Sequence, residues 1–88
     1  MKRHLGKYKL VYTKNAARDI KKIDRVARKK IKSKIEIDAK KPLFYSKKMI
    51  SFNTGQFRWR IGNFRVIFDI VKNNIIILKI GHRREVYR

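Results

Sequence analysis

The pattern that most restricts how this chain can fold is a pair of alternating stretches on either side of a short turn. Hydrophobic and polar residues alternate over residues 56–61 and again over 64–71, and Gly62-Asn63 separates the two stretches. Alternation with a period of two around such a pair predicts a β-hairpin with a two-residue turn. A third strand is predicted over residues 75–80, after a second turn at 72–74. The second half of the chain is therefore predicted to form an antiparallel sheet.

The first half of the chain has a helical period instead. Residues 8–12 alternate and predict one more strand, and apolar residues then recur at helical spacing in two segments. Thr13 and Asp24 are suitable N-caps for these two helices, and Pro42 lies just past the end of the second. The element order β-α-α-β-β-β predicts an α+β fold in which a helical hairpin packs on one face of a small antiparallel sheet. With 88 residues, the chain is predicted to be one domain spanning residues 1–88.

The charge of the chain is extreme for its length. It has 26 Lys and Arg against 6 Asp and Glu, which gives a formal net charge of +20. Such a surface repels itself unless a polyanion or an acidic partner offsets it, and nucleic acid is the first class of ligand that this indicates. There is no Cys, and the two His lie at opposite ends, so we expect neither a disulfide framework nor a metal or cofactor site. The longest aliphatic run, residues 75–78, is too short to cross a bilayer, so we expect a cytoplasmic protein.

The predicted hairpin sorts its side chains onto two faces. With Gly62-Asn63 as the turn, Arg60 lies opposite Arg65, and Arg58 shares their face, whereas the aromatic and aliphatic residues point to the helices. Arginines that alternate along a strand are usually a solvated face. Two like charges directly opposite each other, however, destabilise a sheet by up to about 1 kcal/mol. Because an anion bound between them reverses this effect, the opposed pair indicates an anion site.

The register of the third predicted strand leaves two arrangements open. If Asn73-Asn74 form a two-residue loop, Arg65 pairs with His82. One more loop residue reverses the parity and brings Lys79 and Arg83 onto the arginine face instead. Either arrangement adds a cation to the cluster. Guanidinium groups bind phosphate oxygens in a bidentate manner, so the cluster is predicted to hold a phosphodiester and its dianionic transition state.

Two stretches of the sequence resemble a known family. Residues 57–68, FRWRIGNFRVIF, and residues 81–88, GHRREVYR, are similar to the motifs of RelE/ParE superfamily toxins from toxin–antitoxin systems, and in particular to the RelE-like branch. The resemblance implies a metal-independent mRNA endonuclease that needs no cofactor, cuts mRNA in the ribosomal A site and so inhibits translation. It also implies two kinds of partner: the ribosome with its mRNA, and an acidic, partly helical antitoxin that forms an oligomeric complex with the toxin.

The resemblance further implies roles for individual residues in the attack of an RNA 2′-hydroxyl on the adjacent phosphate. The residues expected to take part in catalysis are Arg60, Arg65, His82, Arg83 and Tyr87. The residues expected to bind RNA are Arg58, Lys30, Lys34, Lys79 and Arg84. Because arginine does not lose its proton in proteins, the arginines are expected to act through their charge, while His82 or Tyr87 transfers protons.

Two other functions are compatible with the same sequence. Members of the ParE-like branch of the superfamily are non-enzymatic toxins that bind and poison DNA gyrase. A chain this basic would also serve as a plain RNA-binding module. Against the ParE-like branch, the dense set of Arg58, Arg60, Arg65, His82 and Tyr87 favours the nuclease.

Overall fold

The computed structural model describes residues 3–5, 8–44, 46–48 and 57–86. Within these residues, two α-helices pack on one face of a six-stranded β-sheet. The elements in chain order are β1 (Arg3–Leu5), β2 (Tyr8–Tyr12), α1 (Lys14–Lys22), α2 (Arg25–Asp38), β3 (Ser46–Lys48), β4 (Phe57–Ile61), β5 (Phe64–Val71) and β6 (Asn74–His82).

The strands lie in the order β1-β2-β6-β5-β4-β3 across the sheet. The predicted α+β class and the order β-α-α-β-β-β are confirmed, and two short edge strands that were not predicted, β1 and β3, extend the sheet. The sheet is mixed, whereas an antiparallel one was expected: β2 runs parallel to β6, and the other described pairs are antiparallel. The reason for the difference is that alternation identifies the two faces of a strand but not its neighbour or its direction.

Both helices begin at the predicted caps. The Thr13 hydroxyl accepts a hydrogen bond from the Ala16 amide at 3.1 Å, and a carboxylate oxygen of Asp24 accepts one from the Ala27 amide at 3.3 Å. Each bond satisfies one of the amides that the first helical turn leaves without a partner. Neither helix in the described part of the chain is long and apolar enough to span a membrane.

The main core lies between the helices and one face of the sheet. It combines buried side chains of both helices, such as Ile20 and Ile35, with side chains of β2, β4, β5 and β6. Trp59 is fully buried in it, and its ring stacks on Phe68 with the ring centroids 4.0 Å apart. The indole Nε1 donates a hydrogen bond to the Pro42 carbonyl oxygen at 3.1 Å. This bond ties the segment that follows α2 to the sheet.

A smaller apolar cluster lies on the opposite face of the sheet. Ile67 of β5 and Val86 are both buried in it, and Leu78 of β6 packs against them. Val86 belongs to a turn over residues 83–86, which follows β6 and folds back onto the sheet. The face that points away from the helices is therefore covered in part by this C-terminal turn.

Helix α1 protects the second half of β6. The pairing between β2 and β6 extends only as far as Ile77, so no described strand pairs with the later residues on that side. Helix α1 and its cap supply partners instead. The Ile80 amide donates to a carboxylate oxygen of Asp19 at 3.0 Å, and the Thr13 hydroxyl donates to the Leu78 carbonyl oxygen at 3.3 Å. An uncovered strand edge invites pairing with another chain. By covering this part of β6, helix α1 prevents such pairing.

The turn between β5 and β6 contains a strained backbone position. Val71 pairs with Asn74, so Lys72 and Asn73 form the loop, and Lys72 has a φ of 56°. A side chain costs about 1–2 kcal/mol in this left-handed region, whereas glycine enters it freely. We therefore expect Lys72→Gly to raise the free energy of unfolding by about 0.5–1 kcal/mol in urea denaturation. Lys72→Ala removes the same charge and keeps the Cβ atom, so its free energy of unfolding should rise by less. Equal gains would show that relief of charge repulsion, and not of backbone strain, is responsible.

Asp38 is a buried carboxyl group at the end of α2. It is 1% exposed, and the Lys34 amine lies 3.0 Å from its Oδ1. Burial raises the pKa of Asp38 above its usual value, although the hydrogen bond and charge of Lys34 oppose the shift. A carboxyl group whose pKa is higher in the folded state stabilises the fold while it is protonated. This contribution is lost as the pH rises through the folded-state pKa.

Asp38→Asn should remove this pH dependence. The variant is expected to gain stability relative to the wild type as the pH rises from about 3 to about 7, because only the wild type must then keep a carboxylate buried. Urea denaturation across this interval at constant ionic strength measures the difference between the two proteins. A difference that stays constant or shrinks as the pH rises would contradict the prediction.

Candidate nucleic-acid interface

The arginine pair predicted from the hairpin is present in the structure. Arg60 lies opposite Arg65 in the ladder between β4 and β5, and the turn that joins these strands is Gly62-Asn63, with Gly62 at a φ of 57°. Trp59 and Val66 lie next to the pair along the strands and point into the main core. Both arginines are therefore on the other face of the sheet. Arg60 is exposed and Arg65 is half-buried.

The side chain of Arg65 is held at the hairpin turn. Its Nη1 donates hydrogen bonds to the carbonyl oxygens of Gly62 and Phe64, both at 2.8 Å. Bonds from a charged donor to two fixed carbonyl groups restrict a side chain that is otherwise rich in rotamers. The positive charge at this position is thus in place before any ligand arrives.

A second cationic row crosses the same face further from the turn. Arg58 pairs with Ile67, and Ile67 pairs on its other side with Lys79. Ile67 belongs to the small apolar cluster on this face, so the register places Arg58 and Lys79 on either side of that cluster. Lys79 therefore lies on the arginine face, as in the second of the two arrangements that the sequence left open, but the loop is not the longer one on which that arrangement depended: it has two residues, Lys72 and Asn73.

The other arrangement, in which His82 pairs with Arg65, is wrong. Arg65 pairs with Gly81, and His82 pairs with Phe64. The two rings of the latter pair meet edge to face, with centroids 6.0 Å apart. Phe64 packs against the main core, so His82 lies on the helix side of the sheet and outside the arginine row.

A β-bulge causes this change of face. Phe68 pairs with Ile77, whereas the preceding residue of β5, Ile67, pairs with Lys79. Leu78 is therefore an extra residue in β6. Because side chains alternate strictly along a strand, one extra residue reverses the face of every side chain after it.

The imidazole of His82 has a partner within the C-terminal turn. Its Nδ1 accepts a hydrogen bond from the Arg84 amide at 3.3 Å. This bond occupies Nδ1 and leaves Nε2 as the ring nitrogen for other partners. Within the described residues, no three His, Cys, Asp or Glu side chains are grouped closely enough to hold a metal ion.

The C-terminal turn brings two further predicted residues to the same end of the sheet. Arg83 and Arg84 are both exposed in it. The Arg83 amide donates to the Asn63 carbonyl oxygen at 2.8 Å, which joins the turn to the hairpin that carries the arginine pair. Tyr87 lies outside the described residues.

The two predicted RNA-binding lysines of α2 lie in the helical layer. Lys30 is exposed, and Lys34 forms its ion pair with Asp38. Since α2 packs on the face opposite the arginines, these lysines belong to a separate cationic surface. The structure therefore does not join them to the arginine pair.

A groove lies between α1, α2 and β2. Leu10 and Ile20 contribute apolar surface to it, and Lys21, Arg28 and Lys32 contribute positive charge. Tyr12 also lines this groove. Burial, together with the nearby charge of Glu36, raises the pKa of Tyr12 to about 12.

Two residues of the arginine face were not predicted from the sequence. Gly81 pairs with Arg65, and Val86 packs beside it. A Cβ atom on Gly81 would lie 3.5 Å from the Val86 Cβ. Periodicity gives no sign of this contact, because a single valine in a basic segment forms no pattern.

The sequence matches one family model over most of its length. The model of the ParE toxin of the type II toxin–antitoxin system, parDE, matches residues 10–87. No curated protein sequence matches the chain.

The fold is similar to those of several solved toxin–antitoxin complexes. The archaeal RelE–RelB complex from Pyrococcus horikoshii OT3 gives a TM-score of 0.72 at 18% identity, covering 91% of this chain and 99% of that one. The RelBE2 complex from Mycobacterium tuberculosis gives a TM-score of 0.70 at 22% identity, covering 84% of this chain and 95% of that one. The intact RelBE complex from E. coli gives a TM-score of 0.66 at 14% identity, covering 83% of this chain and 93% of that one. At these identities the similarity demonstrates a common fold.

Proposed function

We propose that this chain, which belongs to the ParE toxin family of type II toxin–antitoxin systems, inhibits translation by cutting mRNA in the ribosomal A site. The observation that carries this proposal is the opposed pair of Arg60 and Arg65 on a sheet face that also carries Arg58 and Lys79. Two like charges at opposed positions are unfavourable without an anion between them. A phosphodiester of RNA supplies that anion, and guanidinium groups bind it with matching geometry.

The proposed reaction is the attack of a ribose 2′-hydroxyl on the adjacent phosphorus. The bond from phosphorus to the 5′-oxygen breaks, so the products are a 2′,3′-cyclic phosphate and a 5′-hydroxyl. Negative charge increases on the phosphate oxygens in the transition state, and Arg60 and Arg65 stabilise it there. Arg58, Arg83 and Arg84 bind the neighbouring phosphates. Since arginine keeps its proton, all five residues act through charge and hydrogen bonds.

We propose His82 or Tyr87 for proton transfer. Imidazole exchanges protons near neutral pH, but His82 lies on the helix side of the sheet, so it can serve only a phosphate bound at the end of the sheet nearest the hairpin turn. His82→Asn is the matched test, since the asparagine amide oxygen can replace Nδ1 as the acceptor of the Arg84 amide. We expect this variant to lower the cleavage rate by about 100-fold or more, the contribution typical of a general acid or base. A normal rate in His82→Asn together with loss of cleavage in Tyr87→Phe would move the role to Tyr87.

A second candidate function is inhibition of DNA gyrase by binding alone. The family model favours it, because the model that matches residues 10–87 is that of ParE toxins. No proton transfer is needed for this function, so His82→Asn would leave it intact.

A cell-free translation reaction with the purified protein separates the candidates. The nuclease cuts mRNA at codons occupied by ribosomes, which primer extension maps, and leaves naked mRNA intact. Intact mRNA together with inhibited supercoiling by purified gyrase would instead support the second candidate. A protein that binds RNA but neither cuts it nor inhibits gyrase would be a plain RNA-binding module.

We further propose that an acidic, partly helical antitoxin binds the helical layer and that the oligomeric complex resides in the cytoplasm with the ribosomes. Support comes from the net charge of +20 and from α2, where Val26 and Ile37 are 66% and 51% exposed. Lys29 and Lys30 lie on the same surface of α2. Two exposed apolar side chains with lysines between them fit an amphipathic helix that carries acidic residues. Production of the toxin without a partner is expected to arrest growth, and harmless production would count against this proposal.

A further inference from the structure

The C-terminal turn lies in the middle of the arginine face. Val86 packs on Ile67, and Ile67 has Arg58 and Lys79 as its neighbours across the strands. Val86 is only 1% exposed although it lies close to the end of the chain. An apolar side chain is thus buried against a residue whose cross-strand neighbours are cations, on the face where the proposed substrate binds.

Gly81 lies directly beneath this contact. It pairs with Arg65 in the sheet, and the Val86 side chain packs close to its backbone. A Cβ atom on Gly81 would lie 3.5 Å from Val86 Cβ and 3.6 Å from Val86 Cγ2, which is ordinary contact. Any larger side chain at Gly81 would occupy the volume that Val86 now fills.

Hydrogen bonds fix the path of the turn between these anchors. The amides of Glu85 and Val86 donate to the His82 carbonyl oxygen at 2.8 and 2.9 Å, and the Arg83 amide donates to the Asn63 carbonyl oxygen at 2.8 Å. Arg83 and Arg84 lie between the end of β6 and buried Val86, and both are exposed. Their backbone is therefore held at both ends, while their side chains face solvent.

We propose that Val86 is a positioning residue, which holds Arg83 and Arg84 beside the arginine pair so that they bind the phosphates of RNA. The proposal rests on the proposed function for the identity of its ligand. Val86 does not touch the substrate itself. It acts by keeping two flexible cationic side chains on an ordered backbone, which reduces the conformational entropy that RNA binding must otherwise overcome.

The test is a double-mutant cycle read by RNA binding. Its variants are Val86→Ala, the pair Arg83→Ala with Arg84→Ala, and the combination of all three. Affinity for a short labelled oligoribonucleotide is measured by fluorescence anisotropy over a range of salt concentrations. Val86→Ala is expected to weaken binding about tenfold, and to reduce the slope of log affinity against log salt by about 1.4, as for the loss of two phosphate contacts. Added to the arginine pair, Val86→Ala should have no further effect.

Val66→Ala is the matched control for loss of packing. Val66 is also fully buried, but it belongs to the main core on the helix side. A merely structural role of Val86 predicts that the two alanine variants weaken RNA binding alike and that Val86→Ala adds to the arginine variants. Either result would overturn the proposal. If Val86→Ala proves too unstable to study, Gly81→Val provides a second test. Its side chain should displace Val86 from the sheet and so reproduce the loss of RNA binding.

Amide hydrogen exchange supplies a readout that does not depend on RNA. In Val86→Ala the amides of residues 85 and 86 should exchange faster, whereas those of β5 should not. If the wild type cuts mRNA but Val86→Ala binds RNA normally, the proposed function stands and this inference fails. If the wild type cuts nothing but the cycle is non-additive, the inference stands and the proposed function fails.

Discussion

Arg65→Ala is expected to lower kcat for ribosome-dependent mRNA cleavage by about 100- to 1,000-fold, the loss typical of removing one preorganised donor from a developing charge. The effect should fall on kcat more than on KM. Hydrogen bonds to the Gly62 and Phe64 carbonyl oxygens place the Arg65 charge before the substrate arrives, so it is available when charge increases in the transition state. Primer extension over a time course on programmed ribosomes measures the rate.

Matched variants show whether position or net charge is responsible. Arg25 is exposed at the start of α2, in the layer opposite the arginine face, so Arg25→Ala removes the same charge at a remote place. This control should cut mRNA at close to the wild-type rate. Arg65→Lys keeps the charge but loses the planar fork, so we expect an intermediate rate. Equal losses in Arg65→Ala and Arg25→Ala would mean that the arginine pair contributes only to the overall charge.

The arginine pair was predictable because the rules that place it are local. Gly62-Asn63 determines a two-residue turn, and the turn determines that Arg60 faces Arg65. Strict alternation then puts both arginines on the face that points away from the helices. The helix caps at Thr13 and Asp24 follow from local chemistry in the same way. In each case the information lies within a few residues of the feature that it determines.

The position of His82 was not predictable in this way. Residues 75–78 are all aliphatic, because β6 lies in the centre of the sheet with the main core on one face and the small cluster with Val86 on the other. A strand that is buried on both faces has no alternation to define its register. Nothing in the sequence therefore marks Leu78 as the extra residue, although this one residue moves His82 to the helix side.

The position of the C-terminal turn on the arginine face also depends on contacts between distant parts of the chain. Val86 packs on Ile67, and Arg83 is bonded to Asn63. Local patterns identify the strands on which Ile67 and Asn63 lie but cannot show which later residue returns to them. The same limitation explains why the short strand β3, which pairs with β4 at a distance in sequence, was not predicted.

Trp59→Ala is expected to lower the free energy of unfolding by about 3–5 kcal/mol, because it removes a large ring from a packed core. A native domain has only about 5–15 kcal/mol in total, so a substantial fraction of the variant should be unfolded under mild conditions. Trp59 contributes both its stacking on Phe68 at 4.0 Å and its hydrogen bond to the Pro42 carbonyl oxygen. Since it is the single tryptophan, unfolding must be followed by far-ultraviolet circular dichroism and not by tryptophan fluorescence.

Two further variants separate the ring from the hydrogen bond. Trp59→Phe keeps an aromatic ring next to Phe68 but leaves the buried Pro42 carbonyl group without its donor, so it should lose about 1–3 kcal/mol. Phe57→Ala removes a half-buried ring that also stacks on Phe68, with centroids 5.6 Å apart, and should cost less than Trp59→Ala. If Trp59→Phe were as stable as the wild type, the indole bond would contribute nothing to holding the segment after α2.

Because Arg58 and Arg60 flank Trp59 on β4, the Trp59 variants should also impair mRNA cleavage, but only in proportion to the folded fraction. A loss of cleavage beyond that fraction would mean that Trp59 orients these arginines directly.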